Sequence, residues 1–185
     1  MRYSRLLPVI LFSLCFAAAA HAQQSQVCTL NVEQAPELRG FRLGMTADQI
    51  KARVPGIQIK QQEFGASYAF LSSVDFHNLD AVAYKGINDI GFQFLDDRLV
   101  RFTVNYQSVP WKTAGQFAAK VSESLKLPDV WRDGDNFGKV LTCAGFDVTA
   151  NAGMNAITLN TPGHNEVVKE RREQRDEKLR QDFRP

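Results

Sequence analysis

Apolar and polar positions alternate or recur along the chain in a few clear blocks. In Val27–Val32, Cys28, Leu30 and Val32 fall on one face, which predicts a short strand. Thr46 followed by Gln49 is a capping-box signature, and Met45 before the cap can staple onto Ile50. With Asp48 in the first turn and Pro55-Gly56 as a stop, the pattern predicts a helix over Ala47–Val54. From Gly56 to Tyr106 strands are expected, with candidates at residues 57–62, 67–73 and 80–86. The clearest unit is a hairpin turning at Asp96-Asp97. Ile90, Phe92 and Phe94 share the inner face of its first strand, and Val100, Phe102, Val104 and Tyr106 that of its second. Ala114, Phe117, Val121 and Leu125 recur at helical spacing, predicting a second helix from about Pro110 to Leu127, ended by Pro128. Short strands follow at residues 138–145, 146–152 and 155–161.

The two helices echo one another. Thr46–Val54 and Thr113–Val121 are identical at five of nine positions. Two successive helix-then-strands units, joined into one sheet, are therefore an expectation to test. Residues 165–185 break the pattern: six acids nearly cancel seven bases and there is no apolar stripe. They read as a solvated charged helix or tail over residues 164–185, with a partner-docking helix as the alternative and nucleic acid disfavoured by the mixed charge.

The first residues do not belong to this scheme. Arg2 and Arg5 precede an apolar run over residues 6–20, and Ala20-His21-Ala22 is a small-x-small cleavage site, so residues 1–22 read as a secretory signal peptide. The run is too short to span a bilayer. Leu14 stands before Cys15 where a lipoprotein signal has a small residue, which argues against acylation and against a stable membrane anchor. Loss of the leader removes two arginines and no acid, leaving 20 basic and 20 acidic residues. A balanced chain has no global field to draw it to nucleic acid or anionic lipid. Cys28 and Cys143 remain, and an isolated pair in an exported chain predicts one structural disulfide. The organisation expected is a signal peptide over 1–22, a single α+β domain over 23–163, and the charged segment over 164–185.

Candidate chemistry is sparse. Gly40 and Gly44 are spaced wrongly for a phosphate loop, and Met45 stands where its lysine would be. There is no Gly-x-Ser-x-Gly elbow and no His-Glu-x-x-His helix. His77, with Asp75 and Asp80 nearby, is the best lone candidate for acid–base or metal work, and a turn histidine is the simpler reading. Asp96 and Asp97 are accounted for by the hairpin turn. Trp111 and Trp131 flank the second helix and carry two readings, helix-end packing or a partner-binding surface. No catalytic residue, metal site or cofactor is expected.

The segment Phe41–Gly56 resembles the opening motif of the SmpA/OmlA family of small outer-membrane assembly lipoproteins. The matching residues are Leu43, Gly44, Met45, Thr46, Gln49, Ile50 and Gly56, and residues 90–104 look like that family's strand–turn–strand. The β-lactamase inhibitor proteins are similar in placing two such units in tandem. The lipobox cysteine is missing at the cleavage site, and the second unit lacks Gly-Met before its threonine. The resemblance implies an α+β domain, a mainly antiparallel sheet with two helices packed on one face. It also implies a periplasmic or secreted, non-enzymatic protein-binding module of a bacterial envelope, either an assembly factor or inhibitor-like, whose partner is another envelope protein. A small-molecule-binding or hydrolytic protein using His77 is the alternative.

Overall fold

The computed structural model describes residues 27–80 and 82–184, without the side chains of His77 and Asn78; the leader expected over residues 1–22 lies outside them. Its centre is one antiparallel sheet of eight strands. They are β1 (Lys60–Gln61), β2 (Ala66–Ser72), β3 (Ile87–Leu95), β4 (Arg98–Tyr106), β5 (Arg132–Asp133), β6 (Lys139–Thr142), β7 (Asp147–Asn151) and β8 (Ala156–Asn160). The spatial order is β1-β2-β3-β4-β8-β7-β6-β5. Among the described residues three α-helices accompany it: α1 (Ala47–Arg53), α2 (Ala114–Leu125) and α3 (His164–Asp182).

That strand order is two copies of one plan. Each copy has a threonine-capped helix, a two-residue strand, a 3-10 turn and three meandering strands. The copies meet where β4 pairs antiparallel with β8, with Thr103 opposite Thr158 and their hydroxyls 2.9 Å apart. The echoed helices match in detail. Thr46 and Thr113 each accept from the backbone N–H three residues on, while Ile50, Phe117, Val54 and Val121 are all buried.

Alternation along the strands puts one face of the sheet in the core. Phe92, Phe102 and Leu159 lie side by side across β3, β4 and β8, with Val148 next on β7, and all are essentially inaccessible. Phe41 meets Phe92 edge-on at 4.8 Å between ring centroids. The helix α2 packs on β6 and β7. Around α1, the full capping box forms, with the Met45–Ile50 staple buried beside it. Backbone bonds tie this cap to the hairpin: Gly44 N–H donates to Leu99 O, and Leu99 N–H donates to Met45 O. The Asp96-Asp97 turn has φ of 48° and 65°, the left-handed pair that an I′ turn requires.

Several local expectations are corrected. Residues 27–32 form only one bridge, Cys28 to Cys143, because Asn31 and Gln34 close a capping box and turn the chain into a 3-10 helix at Val32–Gln34. Within 80–86 the described residues 82–86 are turns rather than a strand: Asp80 Oδ1 accepts from the N–H groups of Val82 and Ala83, an Asx-type turn. In 57–62 only Lys60 and Gln61 pair, since Phe64 (φ 63°) bends the chain immediately after. Opposite Gln93 and Phe94 of β3 the register slips and β4 carries one extra residue, Val100, so Leu99 takes the core position expected for Val100. The second helix begins after Thr113 rather than near Pro110, and it ends at Lys126 in the left-handed conformation. A third helix, α3, stands where the sequence left helix and tail both open.

Beyond its first turns, α3 is held by arginines. Arg171 makes paired bonds to Asp96 at 2.7 Å each and donates to Phe64 O, and Arg175 reaches Glu63 at 2.8 Å. Arg175 also lies over the Phe64 ring, 4.7 Å from its centroid. A side chain at Gly65 (φ 78°) would strike both Asp96 and Arg171, so this corner needs glycine for backbone and for space. The Arg171 bond holds the Asp96 carboxyl below its ordinary range. Its contribution is therefore complete above the unfolded carboxyl value of about 4 and is lost as pH falls through the lowered folded value. Protection of the α3 amides, taken as the ratio of intrinsic to observed exchange rate, should accordingly be constant from neutral pH down to that range and fall below it. The Asp96→Asn variant should show reduced protection throughout, without that acid step.

Candidate functional site

The sheet face opposite the core is open and carries the most distinctive surface. One row across it runs Tyr68, Gln93, Arg101, Asn160 and Asp147, each opposite the next on adjacent strands. The neighbouring row runs Phe70, Gly91, Thr103, Thr158, Thr149 and Val140. Phe70 is 57% exposed and Tyr68 38%, unusual for aromatics in the body of a sheet. Gly91 leaves a hollow beside Phe70, with no atom within 4 Å of where a side chain would begin. The start of α3, at His164, Asn165 and Val168, walls one end. The resulting cleft is about 640 Å³.

Polar groups on this face are only partly matched. Asn105 donates to Asp89, and Lys60 lies over the Tyr68 ring. His164 is buried, and its Nδ1 lies 2.8 Å from Thr161 O; a carbonyl only accepts, so Nδ1 carries the proton. His164 Nε2, Asn160 Oδ1 and Asp147 Oδ1 are buried without a partner among the described residues. None of these groups pairs a nucleophile with a base. Among the described residues no three His, Cys, Asp or Glu side chains gather as metal ligands would.

The residues singled out by sequence are dispersed. Cys28 and Cys143 form the disulfide, 4.4 Å apart at Cα. His77 sits in the 3-10 turn Asp75–Asn78, and its side chain is outside the described ones. Its acidic neighbours are engaged locally: Asp75 accepts from the N–H and hydroxyl of Ser72, which holds its carboxyl below the usual range. Trp131 is half-buried and donates its indole N–H to Ser122 Oγ at 2.7 Å, closing the end of α2. Trp111 is half-buried and stacks on Phe117 at 5.5 Å, at the edge of a second cleft. The two tryptophans thus do not line one common cleft. Sequence reasoning missed Tyr68 and Phe70 on the open face; their signal was the alternation Tyr68-Ala69-Phe70-Leu71, which puts two aromatics together on the face opposite Ala69 and Leu71.

Against protein-family models, curated proteins and solved structures, no match to this chain is found. The disulfide is consistent with an oxidising, non-cytoplasmic location. Among the described residues no helix is long and apolar enough to cross a membrane.

Proposed function

We propose that this chain is an exported, non-enzymatic protein-binding module of a bacterial envelope, working after cleavage near Ala22 in the periplasm or outside the cell. In this reading the open sheet face receives another envelope protein. The observation that carries it is the pairing of exposed Phe70 and Tyr68 with Gln93 and Arg101 on a continuous strand surface. Tyrosine, phenylalanine and arginine are the residues enriched where proteins recognise one another. Antiparallel pairing with β3 holds the backbone of Tyr68 and Phe70, so binding there orders side chains and not backbone. The SmpA/OmlA-like motif at Leu43–Gly56 supports the same class, and the tandem plan parallels that of the β-lactamase inhibitor proteins.

The reading is tested by recovering partners of the mature chain from a Gram-negative envelope fraction. A discrete protein should be retained by the native chain and by Lys51→Glu, an exposed change on α1. Retention should fall at least tenfold for Phe70→Asp. Equal retention by Phe70→Asp would remove the open face from the account.

A further inference from the structure

On the other side of the molecule, where the two units are joined, lies a second cleft of about 430 Å³. It shares no residue with the open-face cleft. Its body is apolar, built by Val109 and Trp111 from the connecting segment, Val121 and Leu125 from α2, and Ile157 from β8. Its charged side chains are Arg39, Lys85 and Lys120, brought from three separate segments, and none of the described lining residues is acidic. After loss of the leader the chain's charges balance overall, so three cations around one apolar hollow are a local bias. Lys120 also meets Glu123 at 2.7 Å, but both groups are largely exposed and the pair is weak.

Arg39 is held ready there. Its guanidinium lies 5.7 Å from the centre of the Tyr106 ring, and its Nη1 donates to Ala83 O at 3.0 Å. Those contacts leave other donors of the planar fork unused, in the geometry that suits a carboxylate. The backbone at Arg39 is left-handed (φ 56°), a conformation that asparagine or glycine adopts at less cost. Burial raises the Tyr106 hydroxyl above its ordinary pKa, against the Arg39 bond that lowers it, so the ring presents a neutral phenol.

We propose that this cleft is a binding site for a small amphipathic carboxylate, its apolar body against Trp111 and Leu125 and its carboxylate at Arg39, Lys85 and Lys120. The cleft has the size and lining of small-molecule sites, mostly apolar with a few convergent polar groups. Opposite charge at the mouth selects anionic over cationic amphiphiles of the same chain length. The site is independent of the open sheet face, and a protein partner there neither requires nor excludes it.

Calorimetric titration of the disulfide-bonded mature chain with dodecanoate, below its micelle concentration, tests this. Saturable binding at one site per chain is expected, with dodecyltrimethylammonium at least tenfold weaker. The Lys85→Glu/Lys120→Glu variant should weaken dodecanoate at least fivefold, and Ser124→Trp, which projects into the cleft from an exposed position on α2, should block it. Phe70→Asp should leave it unchanged. Equal affinity for the cationic amphiphile, binding unaltered in both cleft variants, or no saturable binding at all would each overturn the site.

Discussion

Reduction of the Cys28–Cys143 disulfide is expected to lower stability by about 5 kcal/mol, the chain-entropy value for a loop of this length. The bridged residues are 115 apart in sequence. Cys28 lies in a segment held to the rest by few other bonds: the single bridge to Cys143, and Gly145 N–H donating to Leu30 O. Without the covalent tie, the chain before Ala35 has little to dock it, and buried Cys28 and Cys143 lose each other as packing partners. In thermal unfolding this corresponds to a fall of roughly 10–20 °C for a domain of this size. Cys28→Ala, Cys143→Ala and the double variant should fall by nearly the same amount, because all three remove one bond. A midpoint unmoved by reductant would show that the bridge constrains nothing in the unfolded chain.

The second large effect belongs to Phe102. It is fully buried where the two units meet, opposite Phe92 on β3 and Leu159 on β8. Phe102→Ala should cost roughly 3–5 kcal/mol, the loss of transfer energy plus the cavity left behind. Both units border that cavity, so denaturant unfolding should remain a single transition at a lower midpoint. Phe102→Leu should recover most of the loss. If instead the alanine variant unfolded in two steps, the shared core would not couple the halves as the β4–β8 seam implies.

Much of this fold was legible from residues that act locally. Thr46, Gln49, Met45 and Ile50 mark a helix start through backbone hydrogen bonds and a staple that need no tertiary partner. Asp96-Asp97 marks the hairpin for the same reason. The repeated Thr-Ala-x-Gln motif pointed to two units, and the strand order bears that plan out. What escaped depends on distant partners. The slip that exchanges Val100 for Leu99 is set by how β3 meets β4, and nothing in either strand alone announces it. Asp80 looked compatible with a strand until its carboxylate was seen capping a turn. The α3 helix is held by Arg171 and Arg175 reaching Asp96 and Glu63, more than seventy residues away, and a charge-rich segment gives no hint of which acids its arginines will find.

The candidate surfaces were less legible still. Trp111 drew notice as a large side chain near a helix end, while its basic neighbours come from residues 39, 85 and 120 and only the fold gathers them. Tyr68 and Phe70 fall in the candidate strand at residues 67–73, and the sequence alone assigns neither of them to a face. The open face is recognisable only once the alternation of β2, β3 and β4 assigns Phe92 and Phe102 to one side and Phe70, Gln93 and Arg101 to the other.

The most direct test of the central claim is site-specific photocrosslinking in intact cells, with a photoreactive residue placed singly at Phe70, Gln93 and Thr149, and at Lys51 and Asp48 on α1 as controls. The open-face positions should all crosslink to the same envelope protein, and the α1 positions should not. Crosslinks to that protein from α1 with none from the open face, or no protein crosslinked from any open-face position, would contradict the account.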